Sequence, residues 1–246
     1  MTQSPLAPTV RILTWNVERK HPVRSPLGVA ALDYVFAKEP DVLVLTESSA
    51  DTSPLGGHVL AGPASDERGY RPDERKVVLW SRAPWRDTGT MSLDGAPADT
   101  AVWGITDTPL GPLRVLGLCI PWHMAATRDV EPKRKQWEVH IEFLDALGIA
   151  LRGMPAFDVI AGDFNQLRPR TWGSKLAEQK LLEVLAGYVI ATDGPLTGCE
   201  RSAGVDHIAV GARFQSVHKF GWPHKVGEQR FSDHEGAGVV LARRQD

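Results

Sequence analysis

Polar side chains of a few types stand where the apolar runs of this chain stop. Asn16 follows "ILTW", Glu47 follows "VLVLT" and His123 follows "LCIPW". Asp163 and Asn165 close "DVIAGDFN", Asp206 and His207 open "DHIAV", and Asp233 and His234 lie in "FSDHEG". Taken singly, an aspartate or asparagine at such a place is a turn former or helix cap, and a lone histidine is a satisfied structural residue. Taken together, they supply what metal-assisted phosphoester hydrolysis requires. A hard divalent cation such as Mg2+ takes oxygens from one or two carboxylates, amides and water, which Glu47 and Asn16 offer. An attacking water must be aimed and deprotonated beside a phosphate, which calls for a carboxylate near an amide or imidazole. Asp163, Asn165 and an Asp–His pair fit that demand.

The elements that must hold these residues are short β-branched runs: 10–15, 41–46, 76–81, 100–106, 113–120, 158–163, 206–211 and 236–242. Runs such as 41–46 and 158–161 are apolar at consecutive positions, which predicts burial on both sheet faces. Apolar residues at helical spacing predict helices over Leu27–Lys38, Pro132–Leu151 and Ser174–Leu185. Many strands with a few helices between them predict two packed sheets covered by helices, an α/β sandwich. A flexible segment over 1–9 and one domain over 10–246 are expected.

Composition narrows the function classes. A net charge of −2 and a pI near 6.5 argue against a protein that grips nucleic acid through overall positive potential, though a local basic patch remains compatible. The two cysteines form no spacing motif. The N-terminus lacks the basic start and apolar stretch of a signal peptide, and no run approaches ~18 apolar residues. A soluble cytoplasmic protein without a membrane span is therefore expected, with no obligate protein partner evident. A zinc hydrolase would want paired histidines such as H-x3-H, and none occurs.

The ordered series "LTWNVE", "LTES", "CIPWH", "GDFN", "VDHIAV" and "SDHEGAGVVL" resembles the endonuclease/exonuclease/phosphatase superfamily of DNase I-like proteins, across Val10 to Leu241. The resemblance implies a four-layer αββα sandwich with the site at one end of the two sheets. It implies Glu47 as principal Mg2+ ligand, with Mn2+ a possible substitute, and Asn16 beside it on metal or phosphate. Asp163 would orient or deprotonate the water, Asn165 would hold the scissile phosphate, and Asp206 would orient the imidazole of His234. Asp233 would join the metal site or its surroundings, and His123 would donate to a phosphate oxygen or the leaving group. Relatives that cleave abasic sites usually carry tyrosine at the His123 position, so His123 leans away from them. Thr46 stands where the family commonly has glutamine, and His207, where tyrosine is common, is read as structural.

The implied activity is Mg2+-dependent hydrolysis of a phosphodiester, with nucleic acid as preferred substrate and a small phosphoester or lipid headgroup as the alternative. A non-catalytic binding module would be expected to lose one of Glu47, Asp163, Asp206 or His234, and all are present. Arg168 and Arg170, just past Asn165, are candidate phosphate binders if they flank the cleft. Lys133, Arg134 and Lys135 read better as solvated charge. Trp122, Trp172 and Trp222 lie near the motifs, where an aromatic face could stack on a base. Core packing is the better expectation for any one of them.

Overall fold

A computed structural model describes residues 7–19, 25–51, 56–65, 70–127 and 132–245. Most of the segment expected to be flexible, residues 1–6, lies outside the described residues. In chain order the elements are β1 (Val10–Asn16), α1 (Pro26–Phe36), β2 (Val42–Ser49), β3 (His58–Ala61), β4 (Glu74–Ser81), β5 (Trp85–Thr90), β6 (Ala101–Thr108) and β7 (Gly111–Cys119). They continue with α2 (Glu138–Arg152), β8 (Val159–Arg168), α3 (Lys175–Val184), β9 (Tyr188–Ile190), β10 (Gly204–Gly211), β11 (Phe214–Trp222), β12 (Lys225–Val226), β13 (Gln229–Arg230) and β14 (Gly236–Arg243).

Two mixed six-stranded sheets form, ordered β11-β14-β1-β2-β4-β3 and β5-β6-β7-β8-β10-β9, with β12 and β13 as a small separate hairpin. Side chains alternate faces along each strand, and this period of two builds the layers. Val10 and Ile12 of β1, Val42 and Val44 of β2, and Val159 and Ala161 of β8 meet in the core between the sheets. Leu13 and Trp15, and Leu43 and Leu45, turn the other way and pack on Ala31, Leu32 and Val35 of α1. Ile160 and Phe164 likewise face Phe143, Leu144 and Leu147 of α2 and Leu181 of α3. The order of layers is helix, sheet, sheet, helix, as expected.

All eight expected strands form. The main correction is α2, which begins at Glu138 rather than Pro132. Trp137, the residue before its first turn, has φ +69, and its backbone N–H is fixed on His123 O at 2.8 Å. That left-handed conformation is incompatible with a helix running through it. Arg134 then pairs with Glu138 at 3.0 Å and with Glu142, so its charge is spent on the first turns of α2. No helix of the described residues is long and apolar enough to cross a membrane.

Among the described glycines, Gly162 leaves the least room toward neighbouring backbone, opposite Leu118 in the parallel β7–β8 pair. Gly162 has φ +141, and a Cβ there would be driven into the Leu118 carbonyl oxygen. Glycine in "GDFN" is thus demanded by the close passage of β7, which keeps the following Asp163 in place. Gly162→Ala is expected to lose about 3 kcal/mol or more of stability. A urea midpoint equal to wild type would show that the β7–β8 contact has slack.

Candidate active site

The parity that fills the inter-sheet core also delivers the polar cluster. On β1 the inward series Val10, Ile12, Thr14 ends in Asn16; on β8 Val159 and Ala161 are followed by Asp163; on β10 Asp206 precedes Ile208 and Val210. Asp163 and Asp206 are direct antiparallel partners. Asn16, from the other sheet, closes on both: its backbone N–H donates to Asp206 Oδ2 at 2.8 Å, and its Nδ2 donates to Asp163 Oδ2 at 3.0 Å.

Two buried carboxylates side by side repel, and each loses hydration, so the surroundings must compensate. Asp163 also accepts from Asn165, through its backbone N at 2.8 Å and its Nδ2 at 2.9 Å. Burial nevertheless pushes the Asp163 carboxyl up to about 7; the nearby His234 opposes that rise and Asp206 adds to it. His234 donates from Nδ1 to Asp206 Oδ1 at 3.0 Å. Burial alone would lower this imidazole, but the Asp206 and Asp163 carboxylates outweigh it and raise His234 to about 10.

Two residues that the sequence reading passed over fix this arrangement. Ser232 is fully buried; its Oγ donates to Asn16 O at 2.6 Å and accepts from His234 N at 3.0 Å. Trp15 Nε1 donates to His234 O at 2.8 Å. The serine stood inside the quoted "SDH", but no spacing rule singles out a hydroxyl there.

Glu47 lies one residue beyond Thr46, the strand partner of Asn16 in the parallel β1–β2 pair. It has φ +49, an uncommon state for glutamate, and Arg19 N holds its carbonyl at 2.7 Å. Its carboxylate is 3.6 Å from Arg19 Nε, and Asn16 Oδ1 accepts from Glu18 N at 2.8 Å. Asp233 sits at the exposed rim, 3.9 Å from His234 Nε2. Among the described residues, Asp163, Asp206 and His234 bring possible ligand atoms within 4.8 Å of one another. Carboxylates on both sheets, with an amide between them, are the oxygen donors that a hard divalent cation takes.

The remaining predicted residues divide. Ile120 N donates to Asp163 O at 2.9 Å, and Asn165 Nδ2 donates to Ile120 O at 2.8 Å, tying the exit of β7 to the cluster. With one amide hydrogen on Ile120 and the other on Asp163, Asn165 serves that carboxylate and has no side-chain N–H left for a phosphate in this conformation. His123, three residues past Ile120, sits among the rings of Trp122, Trp137 and Trp172, and partial burial lowers its pKa. Beneath it, buried His140 donates from Nδ1 to Pro121 O at 2.6 Å and faces Gln166 Nε2 at 2.8 Å. Burial holds His140 down at about 4, so it is a neutral strut.

Arg168 and Arg170 both turn to α3. Arg168 meets Glu178 at 2.6 Å and Asp193 at 2.5 Å, and Arg170 meets Glu178 at 2.8 Å. Their charge is spent within the protein. His207 is buried between Gln166 O and the Thr192 hydroxyl, a structural residue as read. Trp222 is buried edge-on against Trp15, whereas Trp122 and Trp172 are 54% and 57% exposed.

Comparison with known proteins identifies the family and the fold. Residues 13–234 match the model of the "Endonuclease/Exonuclease/phosphatase family". No curated protein matches the chain. The fold is similar to an endonuclease/exonuclease/phosphatase from Beutenbergia cavernae, 17% identical over 96% of this chain and 72% of that one, with TM-score 0.63. It is similar to a 3′ phosphatase from Neisseria bound to a product DNA hairpin, 17% identical over 96% and 100%, with TM-score 0.65. It also resembles the human Nocturnin catalytic domain with bound sulfate, 15% identical over 97% and 95%, with TM-score 0.64. At these identities the likeness is one of fold.

The electrostatics make a testable statement about stability. His234 has a folded pKa raised above its unfolded value of ~6.5, so its contribution is full below that value and is lost as pH rises through about 10. Asp163, also raised, adds a fall of the same sign below about 7. In chelator, the urea midpoint of the protein is expected to drop between pH 6.5 and 10, and His234→Gln should flatten that drop. An unchanged midpoint across the window in wild type would contradict the assigned imidazolium.

Proposed function

This chain belongs to the endonuclease/exonuclease/phosphatase family, and from that premise we propose that it is a Mg2+-dependent phosphodiester hydrolase acting on nucleic acid. The observation that carries this reading is the hydrogen-bonded cluster of Asn16, Asp163, Asp206 and His234, with Glu47 beside it on the neighbouring strand. A neighbour of the same fold that is bound to a product DNA hairpin supports nucleic acid as the substrate class. Both cysteines are free thiols, which supports the cytoplasm as its compartment.

Glu47 and Asn16, with Asp233 at the rim, would hold the cation, and when bound it supplies positive charge against the phosphate and the leaving oxygen. Asp163 takes the proton of the attacking water; a carboxyl lifted to about 7 is a base matched to neutral pH. Asn16 and Asn165 fix the orientation of that carboxylate and fill both sites of Oδ2, so the lone pair left on Oδ1 points one way. Asp206 holds His234 as imidazolium, and the Nε2–H of His234 donates to a phosphate oxygen. His123, on the loop that leaves β7, donates toward the leaving group. A second reading, hydrolysis of a terminal phosphate or small phosphoester, draws support from the same neighbour being a 3′ phosphatase.

Asp163→Asn is expected to keep the fold and lower turnover by ~10²–10⁴-fold. Wild-type turnover in that variant would remove Asp163 from the mechanism. EDTA should abolish hydrolysis of single-stranded DNA, and Mg2+ or Mn2+ should restore it, because the donors are oxygens. Undiminished activity in chelator, or rescue by Zn2+ alone, would overturn the metal assignment. If the enzyme takes only a 3′-terminal phosphate and leaves internal bonds intact, the second reading replaces the first.

A further inference from the structure

The chain has eight tryptophans, and the two most exposed, Trp122 and Trp172, converge on one residue. Trp122 meets the His123 ring with centroids 5.4 Å apart at 72°, and Trp172 meets it at 4.9 Å and 79°. Trp137 backs the group, 5.4 Å from His123 and 6.0 Å from Trp172. Each outer indole spends part of its surface on His123 and leaves more than half in water, which is costly for the largest apolar side chain unless something else covers it.

The wall is built rather than accidental. Trp122 lies two residues past Ile120, whose N–H and C=O are both bonded to the Asp163–Asn165 segment. His140 holds the intervening Pro121 carbonyl. The loop that carries Trp172 is braced by Arg168 and Arg170 on Glu178, and Arg170 Nη1 reaches Gly173 O at 3.3 Å. Gly173, at φ +99, lies so close to the Trp137 ring that a Cβ would meet its Cζ2 at 2.8 Å. Both tryptophans are therefore presented from fixed backbone, on the two chain segments that leave the catalytic strands β7 and β8.

We propose that Trp122 and Trp172 form a nucleobase platform, on which an unpaired base next to the scissile phosphate stacks, so that the substrate is single-stranded or frayed nucleic acid. The proposal rests on the hydrolase reading for the position of the phosphate. The base is the occupant because it is the flat group covalently tethered beside a phosphate held at the cluster. Overall charge points the same way: a chain at −2 gains little from counterion release, and stacking is a means of holding a strand that needs no positive field. Paired bases have their faces covered by neighbours, so the platform selects strands whose bases are free.

The test compares wild type, Trp122→Ala/Trp172→Ala and Trp122→Phe/Trp172→Phe. Hydrolysis is measured with Mg2+ on a single-stranded oligodeoxynucleotide and on the same strand with tetrahydrofuran residues flanking the cleaved bond. Binding of the labelled oligonucleotide is measured separately by anisotropy in EDTA, where no turnover is needed. The alanine pair is expected to lose about 10- to 100-fold in kcat/KM and in affinity for the base-containing strand. It should bind the base-free strand as wild type does, any fall in kcat from unseating His123 being common to both strands, and the phenylalanine pair should recover most of the loss, which a folding defect would not allow. Equal loss on both strands, or affinity indifferent to both tryptophans, overturns the platform. Binding to phosphatidylcholine vesicles that disappears in the alanine pair, with oligonucleotide affinity unchanged, also overturns it and reassigns the wall to lipid. A wild type that hydrolyses neither strand, yet binds the oligonucleotide through the tryptophans, sinks the hydrolase reading and leaves the platform standing.

Discussion

Asn16 is the residue through which the two sheets meet at their polar end. Its backbone N–H donates to Asp206, its side-chain N–H to Asp163, its carbonyl accepts from Ser232, and its Oδ1 accepts from Glu18 N. The apolar core between the sheets is non-directional and would tolerate small slides. The two bonds of Asn16 that cross between the sheets, to Asp206 and Asp163, would not, because a slide leaves a buried carboxylate without its partner, a cost of roughly 1–3 kcal/mol or more per group. The register of one sheet against the other is therefore set at the polar cluster, and the geometry of that cluster inherits the rigidity of the sandwich.

Charge balance follows from that clamp. Asp163 and Asp206 oppose each other on adjacent strands, and a single imidazolium, His234, faces the pair. Two carboxylates and one imidazolium sum to one net negative charge in a buried place. Such a site can settle that charge by keeping a proton on Asp163 or by taking a cation from water, and Glu47 adds a further carboxylate nearby. Proton affinity at Asp163 and cation affinity at the cluster are thus two expressions of the same unbalanced field. The surroundings of Asp163 thus hold its carboxyl close to neutrality, as the proposed role of water-activating base requires.

How far the sequence revealed this depends on burial. All eight strands read from it include the interior strands of both sheets, where continuous apolar runs leave a clear signal. The strands it missed include β3 and β11 at the edges of one sheet, and β5 and β9 at the edges of the other. Edge strands are wetted on one side and carry polar residues, as "WRDTGT" and "FQSVHKFGW" do, so hydrophobic patterning does not mark them. The site was legible for the same reason that interior strands were: a polar residue at the inward parity of an apolar run is conspicuous. Ser232, His140 and Gln166 were not, because their roles depend on which carbonyl or ring lies opposite, and that is a fact of three dimensions.

The arginines after "GDFN" show how a charge read from sequence can serve an apolar purpose. As free guanidiniums they would have marked a phosphate cleft. In the structure Glu178 of α3 engages both, and Asp193 engages Arg168 as well, so the field they would have cast on the cleft is largely cancelled. Their pairing instead stiffens the loop between β8 and α3, whose most exposed large side chain is Trp172. A partly buried carboxylate that bridges two arginines, one oxygen to each, costs them their reach but gives a short loop a fixed course. The near-neutral charge at this place and the exposed indole are then linked, because Arg168 and Arg170, at and just past the end of β8, are spent on the loop that carries Trp172.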